Sequence, residues 1–183
     1  MNVNIKRLSP DAQTPTYAHA TDAGFDLVAA ADVIIYPGET VCVPTGLAFE
    51  IPEGYEMQIR PRSGITLKTP LRVQLGTVDS GFRGEVGVIV DNISRGDWGS
   101  TPRLRELNGE TEHLDDTYYP KSTYIIRKGD RLAQAVIKPV EQAVFTEVDT
   151  LGDSDRGAGG FGSSGVGSPH PEYFGEPTGK ERI

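Results

Sequence analysis

The chain has 183 residues and a formal charge of −8, with 37% hydrophobic residues, 22 Gly, 13 Pro and one Cys. The acidic balance argues against a polynucleotide-binding surface, and the Gly and Pro excess argues against a helical bundle. The lone Cys42 excludes an internal disulfide and a Cys-rich zinc site, while the length suits one domain with a sizeable core.

The N-terminal stretch MNVNIKRLSPDAQ has no apolar leader, and no run reaches membrane-spanning length, so a soluble, cytoplasmic protein is expected. Strand signals then recur at short intervals. They fall at 3–8, 25–30, 33–36, 40–45, 46–51, 55–60, 71–78, 85–93, 123–127 and 131–140, each β-branched or alternating. Turn residues such as Pro37-Gly38, Pro52-Glu53-Gly54, Ser80-Gly81 and Lys128-Gly129-Asp130 separate them. Only 61–69, PRSGITLKT, suits a helical turn. Many short, even strands predict an all-β sandwich, jelly roll or barrel. Two segments break the rhythm. Residues 94–122 form a charged insertion that carries the single Trp98 and reads first as a solvated decoration. Residues 150–165 read as a Gly-rich arm, and 166–183 as a disordered tail, after a β domain spanning 1–149.

Five stretches carry side chains suited to chemistry. AGFDL (23–27) places Asp26 among apolar neighbours at a strand start. PRSG (61–64) offers a guanidinium from Arg62, a hydroxyl from Ser63 and the bared amide of Gly64, a set suited to phosphate. LGTVDSGFRGEV (75–86) ends a strand on Asp79, where a buried carboxylate could take a proton from water, and puts Phe82 on a turn. GDRLAQ (129–134) sets Gln134 in an otherwise apolar strand, where it needs a hydrogen-bonding partner. RGAGGFGSSG (156–165) holds one Arg and one Phe among glycines. Its match to a dinucleotide fingerprint is accidental, because no strand–turn–helix unit can follow it. Each stretch alone is equally compatible with an ordinary turn, a core residue or a solvated tail.

In this order and spacing the five stretches resemble the five motifs of the trimeric dUTPase family, over residues 3 to 165. The resemblance implies a β jelly roll, a homotrimer with active sites shared between subunits, and a mobile C-terminal arm. It also implies magnesium-assisted hydrolysis of dUTP to dUMP and pyrophosphate, which limits uracil in DNA and supplies dUMP for dTMP synthesis. By matching position, Asp79 would activate the water, Gln134 would contact the α-phosphate and that water, and Asp26 would act on Mg2+ indirectly, through water. Arg62, Ser63 and Gly64 would grip phosphates. Gly76 and Val78, in the 76–86 hairpin, would read uracil through backbone groups. Phe82 would underlie the deoxyribose. Arg156 would reach the γ-phosphate, and Phe161, followed by Gly162 and Ser163, would cover the uracil.

The chain departs from the family at two places. Phe82 stands where Tyr is usual, which keeps stacking but loses a hydroxyl. The 94–122 segment exceeds the short loop of cellular members. Staphylococcal-phage members carry an insert in a similar place that takes part in binding a repressor, so a phage origin, the host cytoplasm and a repressor partner are what the resemblance implies. A nucleotide-sensing module acting through the insert is the rival from another class. The related dCTP deaminase needs a Glu where this chain has Ile89, and a zinc hydrolase lacks ligand spacing among His19, His113 and His170.

Overall fold

The computed structural model describes residues 1–96 and 99–160. It divides into two units, Met1–Ala143 and Val144–Ile183. In the first unit the strand signals become β1 (Asn4–Arg7), β2 (Phe25–Val28), β3 (Val33–Ile35), β4 (Thr40–Pro44), β5 (Leu47–Glu50) and β6 (Tyr55–Pro61). The one helix, α1 (Ser63–Lys68), follows, then β7 (Leu71–Val73), β8 (Gly76–Asp79) and β9 (Gly87–Asn92). Four short strands follow: β10 (Ser100–Thr101), β11 (Leu104–Arg105), β12 (Thr111–Glu112) and β13 (Tyr119–Pro120). The last two strands are β14 (Tyr124–Ile126) and β15 (Arg131–Pro139).

Two sheets position the chemistry. One has the order β2-β15-β6-β8 and the other β4-β9-β7, and every pairing in them is antiparallel. Their inner faces alternate as strands require. Leu27, Met57, Ile59 and Val78 from the first meet Val43, Leu71, Val88 and Val90 from the second in one core. The sheets stay open, so the sandwich form of the expected all-β fold describes them rather than a closed barrel. No helix among the described residues is long and apolar enough to cross a membrane.

The run 71–78 reads as one strand in sequence but forms two. β7 pairs with β9 and β8 pairs with β6, so the chain changes sheets at Gln74 and Leu75. Leu71, Val73 and Leu75 keep the sequence alternating into the corner, although Leu75 faces solvent and the next buried position is Val78, and this hides the change of sheet. The 94–122 segment also differs from expectation. β11 joins the sheet β12-β11-β14-β3. Leu104 is fully buried and Tyr119 nearly so, both against Ile125 and Ile34. β14 is therefore covered on both faces: Ile126 enters the main core while Ile125 meets the segment. Trp98 lies outside the described residues.

In the second unit the described part holds a turn at Ser154–Gly159. The Gly157 N–H donates to the Ser154 carbonyl at 3.0 Å, and the Gly159 N–H to the Arg156 carbonyl at 3.0 Å.

Candidate active site

β15 is the organising strand. It lies between β2 and β6, with Gln134 opposite Asp26 on one side and Arg60 on the other. Three of the motif stretches thus meet at one end of the sheet, around a cavity of about 350 Å3 lined by Gly24, Asp26, Arg62, Ser63, Arg131 and Gln134 among others. Gly24 presses against β15 so closely that a Cβ there would stand 3.0 Å from the Ala135 carbonyl oxygen and 3.2 Å from Val136 Cγ2. A side chain at 24 would push β2 away from Gln134.

Three of the charges in this cavity are linked to one another. Arg62 Nε lies 3.1 Å from Asp26 Oδ1, and Arg131 Nη1 lies 3.4 Å from Asp26 Oδ2. Arg62 Nη1 also donates to the Arg131 carbonyl at 2.7 Å. Gln134 Nε2 donates to the Pro61 carbonyl at 3.0 Å, which supplies the partner its setting demands and leaves its carbonyl oxygen toward the cavity residues. Ser63 opens α1, directly after Arg62. Asp22 also lines the cavity, so two guanidiniums stand against two carboxylates, and the guanidiniums are the groups suited to a polyanion in a chain of charge −8.

Arg131, within the GDRLAQ stretch, is a site residue to which the sequence assigns no role. Between Arg131 and Ala133 the pairing with β2 shifts register. Such bulges re-aim side chains next to sites, and here the bulge aims both the carbonyl and the guanidinium of Arg131 at the cluster. The preceding turn holds two carboxylates with opposite titration. Burial pushes the Asp130 carboxyl above its ordinary value. The Lys128 backbone N–H holds the Asp32 carboxyl below it.

The remaining motif of this unit stands elsewhere. β8 carries Gly76, Val78 and Asp79, which line a separate cavity of about 260 Å3 with Phe82 and Ile89. Asp79 is exposed, not buried as the sequence suggested, because it follows the buried Val78 on β8 and so takes the face away from the core. The hairpin end is anchored to the β4–β5 corner: Val86 N–H donates to the Leu47 carbonyl at 2.8 Å, and Gly46 N–H to Glu85 Oε1 at 2.8 Å. β2 and β8 are the two edges of one sheet, three strand spacings apart, so Asp26 and Asp79 are separated by at least about 14 Å. The two cavities share no residue.

Arg156, in the second unit, turns its Nε onto the Gly159 carbonyl at 2.7 Å. Phe161, Gly162 and Ser163 lie outside the described residues. Among the described residues no group of three or more His, Cys, Asp or Glu side chains could hold a metal directly.

A family model described as dUTPase matches residues 10–98 and 118–165. The stretch it skips, 99–117, lies within the inserted segment. A deoxyuridine 5'-triphosphate nucleotidohydrolase of Nautilia profundicola is 44% identical over 167 residues, covering 90% of this chain and 99% of its own. The dUTPase of Staphylococcus bacteriophage 80alpha, solved with dUPNHPP, is 36% identical with a TM-score of 0.85, covering 90% of this chain and 99% of its own. The dUTPase of phage phi11 of S. aureus, solved to visualise its species-specific insert, is 34% identical with a TM-score of 0.78, covering 82% and 98%. With four motif residues converging on one cavity and likeness running through nearly the whole length, the chain belongs to the dUTPase family.

Proposed function

We propose that the chain hydrolyses dUTP to dUMP and pyrophosphate at sites completed between copies of itself in a homotrimer. The observation that carries the reading is the gathering of Asp26, Arg62, Ser63 and Gln134 from two strands and the start of a helix into one cavity that holds two guanidiniums. Splitting a phosphoanhydride requires charge neutralisation, a positioned water and a held leaving group. Arg62 neutralises phosphate charge, with Ser63 and the Gly64 backbone beside it, Ser63 near the bridging oxygen of the leaving group. Gln134 contacts the α-phosphate and orients the water. Asp79, supplied from another copy's β8, takes the proton of that water as general base.

Gly76 and Val78 read uracil through backbone groups, and Phe82 underlies the deoxyribose and leaves no space for a 2'-hydroxyl. From the 150–165 arm, Arg156 meets the γ-phosphate and Phe161 covers uracil, with Gly162 and Ser163 following, so that closure excludes water. The 1–149 region is then the catalytic domain and 166–183 a tail beyond it. Magnesium fits this donor set only through water and substrate. Both Asp26 oxygens are engaged by guanidiniums, and Mg2+ commonly keeps its waters and binds substrate phosphates with few carboxylates. When bound, it supplies further neutralisation of the phosphate charge. The reaction belongs in the cytoplasm, that of the host if the chain is phage-encoded. No partner is assigned to the 94–122 segment, whose Leu104 and Tyr119 turn inward.

The test is pyrophosphate release from dUTP, dTTP, dCTP and UTP, with and without EDTA, for the chain and for Asp79→Asn. Turnover of dUTP alone, lost with EDTA and reduced ~10²–10⁴-fold in Asp79→Asn, is expected. Comparable turnover of dTTP or UTP, or a variant keeping a large share of the rate, would overturn the reading.

A further inference from the structure

Arg131 reaches the cavity from a turn, Arg127–Asp130, that the protein fixes from several sides. Gly129 N–H donates to the Ala29 carbonyl at 2.9 Å, and Ala29 N–H to the Asp130 carbonyl at 3.0 Å. Arg127 N–H donates to Asp130 Oδ2 at 2.8 Å, and Lys128 N–H to Asp32 Oδ1 at 2.7 Å. The Arg127 side chain closes this arrangement. Its Nη1 bonds Asp32 Oδ2, and its Nη2 bonds Glu112 Oε2. Asp32 therefore grips both the backbone of the turn and the guanidinium beside it. Glu112 belongs to β12, within the inserted segment, so the segment holds the same guanidinium from the other side.

One residue after this turn, Arg131 accepts a hydrogen bond from Arg62 on its carbonyl and meets Asp26 with its guanidinium. The register shift at Arg131–Ala133 removes regular ladder pairing at that point, so the direction in which Arg131 points depends on how the turn delivers it. Arg127 is only 25% exposed, while its partners Asp32 and Glu112 are 47% and 36% exposed. Surface ion pairs of this kind contribute little to stability. Two carboxylates on the two ends of one planar fork do define an orientation.

We infer that Arg127 is a positioning residue for the Arg62–Asp26–Arg131 cluster, and that Glu112 makes the inserted segment part of the support of that cluster. The inference rests on the functional reading above for the ligand, a nucleoside triphosphate held through its phosphates by Arg62. Its consequence is specific. Loosening the turn should weaken binding in proportion to the phosphates engaged, while ligands lacking the β- and γ-phosphates should bind nearly as before.

The experiment compares the unaltered chain with Arg127→Gln, Arg127→Lys and Glu112→Gln. It measures affinity for a non-hydrolysable imido analogue of dUTP and for dUMP, steady-state kinetics on dUTP, and thermal unfolding. Arg127→Gln should weaken the triphosphate analogue about tenfold and raise KM with it, leaving dUMP affinity and kcat within about two- to threefold. Glu112→Gln should shift the same ratio in the same sense by about threefold, and Arg127→Lys should recover part of the loss. Unchanged affinities, or equal losses for triphosphate and monophosphate, would overturn the inference, since general loosening does not distinguish the two ligands. If Arg127→Gln fails to fold, Glu112→Gln decides by the same criterion. Absence of dUTP turnover in the unaltered chain would refute the functional reading, and the inference with it.

Discussion

Phe82 shows how one side chain in the hairpin is set by its neighbour. The ring folds back over Gly84, where an added Cβ would stand 2.6 Å from Cζ. Glycine at 84 thus gives the ring its seat, and the ring remains 45% exposed, presenting a face outward. Phe82 is proposed to underlie the sugar, so Gly84→Ala should displace the ring and relax selection against a 2'-hydroxyl. The ratio of kcat/KM for dUTP to that for UTP should fall roughly tenfold, with the fold intact, as read from steady-state kinetics on both nucleotides. An unchanged ratio would separate Phe82 from sugar recognition. At this scale the sequence was informative where a residue type was unusual for its setting. Gln134 in an apolar strand and Phe82 on a turn both pointed to sites. Arg131 gave no such signal, because an Arg beside a turn is ordinary and its aim comes from a bulge that spacing does not encode.

At the level of elements, the inserted segment is held by packing rather than by its strands. β10, β11, β12 and β13 are two residues each, too short to persist without a side-chain anchor. Leu104 and Tyr119 provide it against Ile125 and Ile34. Leu104→Ala should cost about 2–4 kcal/mol, the usual range for a fully buried leucine, and lower the melting temperature by several degrees. A cost below about 0.5 kcal/mol would mean that the segment contributes nothing to the folded body. The body's strands were legible because runs of β-branched or alternating residues are set off by Gly- and Pro-containing turns. The segment was not, since its scattered apolar residues, Leu104 and Tyr119 among them, carry no period among many charges. The division of 71–78 into β7 and β8 was hidden for the opposite reason, as Leu71, Val73 and Leu75 alternate into the corner although Leu75 is exposed.

Over the whole molecule, the roles proposed for the motifs call for a second copy. Asp26, Arg62, Ser63 and Gln134 gather at one end of the four-stranded sheet, and Asp79 with Phe82 stands at its β8 edge. Asp79 faces Glu56, six residues before Arg62 along β6, so about 20 Å of strand separates the two, and a nucleotide bound by Arg62 in one chain cannot have its water activated by Asp79 of that chain. Sequence order revealed all of these residues but not this separation, which follows from strand order rather than from motif spacing. The most direct measurement mixes two full-length variants, Asp79→Asn and Arg62→Ala, each expected to be nearly inactive alone. After subunit exchange, every mixed trimer contains one interface at which an intact Asp79 faces an intact Arg62. Pyrophosphate release from dUTP should then return to about a quarter of the unaltered rate at equal mixing, the statistical share for a cyclic trimer. No recovery, with exchange demonstrated by a tagged subunit, would contradict the account and place the complete site within a single chain.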